Sequence, residues 1–310
     1  RNEHGQVTGV CGIARNITER MARTVKKIPP PMRYSSRIYK DTLKEIGLVA
    51  GTDSNVLFLG ESGTGKDYLA KYLHELSRRS MGPFFAVNCA ALPSTLAESE
   101  LFGHESGAFT GSKTRKRGLL ELAESGTLLL NEVGELAPAL QAKLLTFLDT
   151  NAFTRVGGEK FVEVDARILA ATNRNLEYEV ESGNFRRDLF FRLNVFAIVV
   201  PPLRERISDL PMLCDDIIEG LVRKLGLGKI PTVDVGAMKI LKAYAWPGNV
   251  RELKNVLERA LILSETDKIR ERDLSELMAP LRSGDSVFGK MRISGSRGPV
   301  INDAVRGLQK

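Results

Sequence analysis

An apolar run, Val56-Leu57-Phe58-Leu59, passes directly into Gly60-Glu61-Ser62-Gly63-Thr64-Gly65-Lys66, and then into a stretch of helical apolar spacing from Lys66 to Leu76. A strand, a glycine-rich turn of the form G-x-x-x-x-G-K and a helix, in that order, are the setting of a phosphate-binding loop. The glycines let backbone amides turn inward around phosphate oxygens. The helix N-terminus adds positive potential, and Lys66 reaches the β- and γ-phosphates. A plain glycine-rich turn before a helix is the bland alternative, and strand, spacing and lysine together weigh against it. One position departs from the usual pattern. Asp67 stands where a Ser or Thr follows the lysine, so no hydroxyl is available there for Mg2+.

From Ser35 onward, short β-rich apolar runs alternate with amphipathic segments. Strands are expected at 56–59, 84–87, 127–130, 168–171 and 195–200, and helices at 66–76, 137–148 and 176–181. Such alternation predicts an α/β fold with a parallel sheet. After Pro201-Pro202 the character changes. The stretches 207–225, 233–243 and 250–263 carry apolar residues at a 3.6 period with no strand between them, which predicts a smaller all-helical domain. A length of 310 residues with 43% hydrophobic content accommodates these two parts.

Lys and Arg total 45 against 38 Asp and Glu, a formal charge of +7 that fits contact with polyanions but is shared by many unrelated enzymes. Cys11, Cys89 and Cys214 are far apart without a CxxC pair, which argues against a disulfide framework or zinc site and for a reducing, cytoplasmic setting. His4, His74 and His104 are equally scattered and read as ordinary surface or core residues. No apolar run approaches the ~18–20 residues needed to span a bilayer, so no membrane contact is expected. The chain opens at Arg1 in mid-pattern, and a fragment of a longer protein is the expectation.

A second apolar strand, Thr127 to Leu130, runs into Asn131-Glu132. Behind a phosphate loop, an acidic pair in this place holds the Mg2+ shell and polarises the attacking water. Glu132 is the candidate base. Asn131 stands where Asp is usual; its amide can still accept from a metal-bound water but carries no charge.

The chain strongly resembles the sigma-54-dependent activators, or bacterial enhancer-binding proteins, of the AAA+ class. The likeness runs from about Ser35 to about Pro280. It rests on GESGTGKD (60–67), ESELFGHESGAFTGS (98–112), LLLNEVGEL (128–136), FTRVGGEK (153–160), AATNRNL (170–176), FRRDLFFRLNVF (185–196), PPLRER (201–206) and WPGNVRELKNV (246–256), in the family's order. The resemblance implies an AAA+ P-loop parallel sheet flanked by helices with a smaller all-helical lid domain, and ATP and Mg2+ as cofactors. It also implies ATP hydrolysis in a hexameric or heptameric ring that remodels the closed promoter complex of sigma-54 RNA polymerase.

The same resemblance assigns roles. Gly60, Glu61, Ser62, Gly63, Thr64, Gly65, Lys66 and Asp67 would hold the nucleotide with Asn131, Asn173 as sensor I and Arg251 as sensor II. Glu132 and Lys66 would serve catalysis, with Asn88 pairing to Glu132 as its switch, or standing as an ordinary polar strand end. Asn131 and Glu132 would hold Mg2+ through water. Arg186 and Arg192 resemble arginines that reach a neighbouring subunit's nucleotide, against an ordinary ion pair with Asp188 or Glu181. Gly107, Ala108, Phe109, Thr110, Gly111 and Ser112 match the GAFTGA loop that contacts sigma-54, with Ser112 where the family has Ala. Lys113, Arg115, Lys116 and Arg117 either face promoter DNA or are solvated. Trp246 reads as lid core.

The expected organisation is a PAS-like sensor remnant at 1–20, with Asn16 replacing the usual Asp of its exit motif. A proline-bearing linker at 21–34, the α/β ATPase part at 35–205, the lid at 206–280 and a flexible connector at 281–310 follow. No helix-turn-helix is legible before Lys310, so enhancer DNA contact is assigned to a further domain. Three rival functions remain at this level: another AAA+ remodelling ATPase, a nucleotide-binding scaffold with weak or no hydrolysis because of Asn131, and a plain DNA-binding protein.

Overall fold

A computed structural model describes residues 34–109, 112–263 and 267–274. The PAS-like stretch, the linker before Tyr34, Thr110, Gly111 and the connector at 281–310 lie outside the described residues.

Five parallel strands form the central sheet: β1 (Val56–Leu59), β2 (Phe84–Asn88), β5 (Thr127–Asn131), β8 (Arg167–Thr172) and β9 (Phe196–Val199). Their order is β2-β5-β8-β1-β9, with Phe58 opposite Ala171 on one side and Ile198 on the other. The central strands β1, β5 and β8, buried on both faces, read as near-continuous apolar runs, and the half-exposed edge strands β2 and β9 are apolar as well. The pleat sends alternate residues to opposite layers. Val56, Phe58, Leu129, Leu169 and Ile198 enter one core with helices α1 (Arg37–Ala50) and α2 (Lys66–Leu76). Leu57, Leu128, Leu130, Ile168 and Ala170 enter the other. There they meet α3 (Ser94–Phe102), α4 (Leu119–Leu122), α5 (Pro138–Thr150), α6 (Leu176–Glu181) and α7 (Arg187–Leu193). Phe58 and Leu57 are fully buried, each contributing about 2–3 kcal/mol through removal of apolar surface from water. Buried Arg167 stitches the end of α1 to the sheet by donating to the Val49, Ala50 and Ser54 carbonyls.

Two small antiparallel hairpins leave this body. One pairs β3 (Gly103–His104) with β4 (Lys116–Arg117); the other pairs β6 (Ala152–Thr154) with β7 (Phe161–Glu163).

The lid is built from α8 (Leu210–Leu225), α9 (Val235–Ala243) and α10 (Asn249–Leu263), reached through a 3-10 stretch at Leu203–Asp209. Among its described residues the only strands are a two-residue parallel pairing of β10 (Thr232–Val233) with β11 (Lys268–Ile269). That pairing corrects the expectation of no strand here; segments this short carry no periodicity. Trp246 is fully buried, donates from Nε1 to Leu241 O and packs edge-on against Tyr244, as lid core. The lid's Cys214, Ile218, Leu241 and Leu257 share one buried cluster with β1 and α2, so lid and sheet are packed together.

Candidate functional site

The loop Gly60–Gly65 lies at the C-terminal end of β1 and opens α2. Gly65 has φ +100° and open space where a side chain would stand, and Gly63 has φ +80°. A Cβ on Gly63 would collide with Gly248 O of the lid, so this position admits no other residue. Lys66 is buried, and Nζ donates to Gly60 O at 2.7 Å and Glu61 O at 3.1 Å. Burial holds its ammonium below the ordinary lysine range, with Glu132 and Asp67 opposing. A buried cation facing carbonyls across a glycine cradle is the arrangement for gripping phosphate oxygens.

The lid closes over this loop. Val250 N and Arg251 N both point at Gly63 O, at 3.0 and 3.3 Å, and Arg251 Nη1 donates to Ser62 Oγ at 2.7 Å. Arg206 is buried, donates to Thr64 O at 2.8 Å and stacks over the Tyr39 ring. Arg204 grips Glu61 with two hydrogen bonds, 2.6 and 2.9 Å. Those bonds, with one from Asn249, hold the Glu61 carboxyl down at about 2.

The neighbouring strand ends supply the rest. Asn88 and Asn131 are paired across β2 and β5, and Asn131 pairs with Ala171 of β8. Asn131 Oδ1 is buried without a hydrogen-bond partner. Glu132 follows in left-handed backbone, φ +51°, and Oε2 accepts from Asn173 N at 3.2 Å. Asn88 is not on Glu132; its Oδ1 accepts from Ala90 N at 3.0 Å and caps a 3-10 turn. The structure thus brings Glu132 to the backbone amide of Asn173 instead of to Asn88. An unsatisfied amide oxygen beside a carboxylate fits a hydrated Mg2+, a hard cation taking oxygen ligands and keeping several waters. Among the described residues no cluster of three or more His, Cys, Asp or Glu could hold a metal by protein ligands alone.

Arg186 and Arg192 make no contact with their own chain's phosphate loop. Arg186 is exposed and paired in two bonds to Asp188. Arg192 is about half exposed and reaches Leu148 O and Asp149. The ion pair with Asp188 is present; the one with Glu181 is not. Arg187 is exposed.

Between β3 and β4, Phe109 is 40% exposed and sits edge-on to His104. The second hairpin braces this loop. Glu105 N donates to Val156 O, and Arg155 bridges Glu105 and the buried Glu121. Arg115 and Arg117 also face Glu121, at 3.9 and 3.7 Å, and Lys116 pairs with Glu100. Of the four cations after the loop, Lys113 is exposed. The other three are engaged within the chain.

Residues 32–199 match the Sigma-54 interaction domain family, and residues 204–287 match the AAA+ ATPase lid domain. The chain belongs to the sigma-54 interaction domain family. It is 48% identical over 276 residues to the nitrogen fixation protein AnfA of Azotobacter vinelandii, an alignment covering 88% of this chain and 52% of that protein. It is 49% identical over 234 residues to the regulatory protein AtoC of Escherichia coli, covering 76% and 50%. The chain therefore spans about half the length of these relatives. Among solved structures, NtrX from Brucella abortus in complex with ATP aligns at 35% identity and TM-score 0.71, over 87% of this chain and 62% of that one. The same protein in complex with ADP aligns with TM-score 0.73 at 35% identity, over 85% and 59%.

Within this family member, sequence reasoning missed Arg204, Arg206 and Asn249 as parts of the phosphate-loop surround. Their signal lies in PPLRER and WPGNVRE, where the resemblance gave a nucleotide contact to Arg251 alone. Glu121 and Arg155, joining the two hairpins, were also missed, because neither periodicity nor spacing marks an ion pair 34 residues apart. Among the described residues no helix is long and apolar enough to cross a membrane.

Proposed function

We propose that this sigma-54 activator domain binds ATP with Mg2+ and hydrolyses it in a ring of like subunits in the cytoplasm, driving the Phe109 loop against sigma-54. The observation that carries this reading is the meeting of Lys66, Glu132 and Arg251 around one glycine cradle closed by the lid. ATP would lie over Gly60–Asp67, with Lys66 on the β- and γ-phosphates and Arg251 released from Ser62 to reach them. Asn131 and Glu132 would hold the hydrated Mg2+, which supplies charge neutralisation on the phosphates. Glu132, leaving the Asn173 amide, would orient the attacking water, and Asn173 would sense the γ-phosphate. Arg186 and Arg192, exposed and remote from their own loop, are suited to a neighbour's transition state in a head-to-tail ring of six or seven subunits. Asn88, seated on Ala90, would pair with Glu132 while the γ-phosphate is held, and loss of that phosphate would release the pair. Movement of this set would shift the braced pair of hairpins, an order-and-pose switch tied to the γ-phosphate. Thr110 and Gly111 complete the proposed contact with Gly107, Ala108, Phe109 and Ser112. Promoter or enhancer DNA would be met mainly by a further domain.

A second reading, a nucleotide-gated scaffold with weak hydrolysis, is favoured by Asn131 alone. ATP turnover measured against protein concentration decides between them. A ring acting in trans gives a specific activity that rises steeply as subunits assemble, and capture of sigma-54 by the chain with ADP and a γ-phosphate transition-state mimic. No turnover at any concentration, with nucleotide bound, would leave the scaffold.

A further inference from the structure

Ser112 occupies the end of the GAFTGS loop, where the family pattern has Ala, and its hydroxyl is not idle. Phe109 N donates to Ser112 Oγ at 2.9 Å, and Ser112 Oγ donates to Phe109 O at 2.7 Å. Ser112 N also reaches Phe109 O at 3.0 Å, and Gly107 N donates to Ser112 O at 2.7 Å. The Ser112 side chain is buried at 7% exposure, within a surface loop whose Phe109 ring is 40% exposed. One hydroxyl thus satisfies both backbone groups of the residue whose ring the loop presents. Alanine would keep the backbone N–H on Phe109 O but would leave Phe109 N without its acceptor. The ring is steadied from the other side by His104, whose centroid lies 5.0 Å away edge-on. His104 is itself fixed by Ser99 Oγ at Nδ1 and Thr114 O at Nε2.

We propose that Ser112 is a positioning residue that staples the backbone of Phe109 and presents its ring in one pose to the sigma-54 partner. This rests on the sigma-54 contact proposed above and deepens it. A loop ordered before encounter loses less conformational freedom on binding, so the staple raises affinity through preorganisation and adds no contact of its own. A hydroxyl with two short hydrogen bonds into one residue is strong enough for this. Losing a neutral hydrogen bond and leaving its partner unsatisfied corresponds to about a 5- to 10-fold change in an equilibrium.

The test compares Ser112→Ala, which restores the family's residue, with Ser112→Thr, which keeps the hydroxyl, in the 310-residue chain. Two quantities are read: hydrogen exchange of the Phe109 amide, and affinity for sigma-54 in the presence of ADP and a γ-phosphate mimic. The expected result is Phe109 exchange about 5- to 10-fold faster in Ser112→Ala, sigma-54 affinity lower by about 3- to 10-fold, and recovery of both in Ser112→Thr. Far-ultraviolet circular dichroism and Trp246 fluorescence confirm that each variant is folded. Unchanged amide exchange in Ser112→Ala would overturn the staple. Faster exchange with unchanged sigma-54 affinity would overturn its positioning role while leaving the sigma-54 contact standing. A parent chain that fails to bind sigma-54 in any nucleotide state would remove the sigma-54 reading and the positioning role with it.

Discussion

Asn249 Nδ2 donates to Glu61 Oε2 at 3.1 Å, tying the first residue of lid helix α10 to the phosphate loop. The same amide donates to Ser62 O at 3.1 Å, and its oxygen accepts from Leu203 N at 2.8 Å. Asn249 is fully buried and held in left-handed backbone, φ +52°, a conformation that asparagine tolerates better than most residues. Three segments therefore meet at one side chain: the phosphate loop, the stretch entering the lid, and the lid helix. Arg204 reinforces the junction from the surface by its two bonds to Glu61.

Replacing Asn249 with Asp keeps the size and the acceptor for Leu203 N but sets a carboxylate against Glu61. Like charges at that distance repel, and two donated hydrogen bonds are lost. Nucleotide affinity is expected to fall by about 10-fold or more, with the fold retained. Arg204→Ala, which removes a largely solvent-screened pair, is expected to cost about 2- to 3-fold at most. Calorimetric titration of both variants with ADP measures this. Equal affinity in Asn249→Asp and the parent would show that lid docking does not shape the phosphate site.

Asn131→Asp is expected to lower the Mg2+ concentration needed for half-maximal ATP turnover several-fold, and to raise turnover. Asn131 Oδ1 already lies buried without a partner beside Glu132, so a second carboxylate there strengthens the hold on a hydrated cation. Without Mg2+ the two adjacent carboxylates repel, so the variant should melt at a lower temperature than the parent and recover when Mg2+ and nucleotide are added. An Mg2+ titration of turnover, paired with thermal melts, reads both effects. Coincident Mg2+ curves for variant and parent would mean that the Asn131 position does not face the cation.

The sequence made the sheet's centre legible because strands buried on both faces are apolar through their middles, and 56–59 matches β1 to the residue. Helices 66–76 and 176–181 were equally clear from their periodicity. Helix α1 was not proposed, although its burial falls on Tyr39, Thr42, Ile46, Val49 and Ala50. Thr42 is polar, and Ile38 and Leu48 are exposed, so the apolar stripe is broken in the sequence alone. At the site, backbone-determined features were predictable: the glycine turn, the lysine and the strand-end Glu132. Side-chain pairings were not. Whether Glu132 takes Asn88 or Asn173 depends on a rotamer choice at strand ends only angstroms apart, and Arg204 reaches Glu61 across 143 residues of sequence.

Arg186 and Arg192 should act on another subunit's nucleotide. A Lys66→Ala chain and an Arg192→Ala chain, each with little turnover alone, should regain part of the parent rate when mixed. Some interfaces then pair an intact phosphate loop with an intact arginine. Arg186 must give up its two bonds to Asp188 to reach a neighbour, so Asp188→Ala should not lower turnover as Arg186→Ala does. Mixing at equal total concentration, with the parent as reference, measures the recovery. Mixtures that only average the two separate rates would mean that Arg192 does not act across the subunit interface.

The last prediction concerns stability and carries its own sign. His74 on α2 is 4% exposed, with Nδ1 2.9 Å from Thr127 Oγ1 of β5 and its ring against Phe84. Burial lowers its pKa from the ordinary 6.5 to about 4, while a backbone hydrogen bond at Gly82 opposes. The unfolded chain therefore takes up a proton near pH 6.5, and the folded chain does so only near pH 4. Between those values the unfolded state binds more protons, so stability is complete above about pH 6.5 and is lost as pH falls towards 4. Each pKa unit of difference is worth about 1.4 kcal/mol, so the parent should lose about 1–2 kcal/mol from this residue between pH 6.5 and pH 5. His74→Gln cannot titrate. It is expected to be less stable at pH 7 by about 1–3 kcal/mol through imperfect replacement of the buried ring, yet to show a flatter decline on acidification. Urea unfolding at pH 7 and pH 5 gives the two slopes. Parallel declines in parent and variant would mean that His74 titrates alike in the folded and unfolded chains, and that its burial against Thr127 does not disfavour the charged ring.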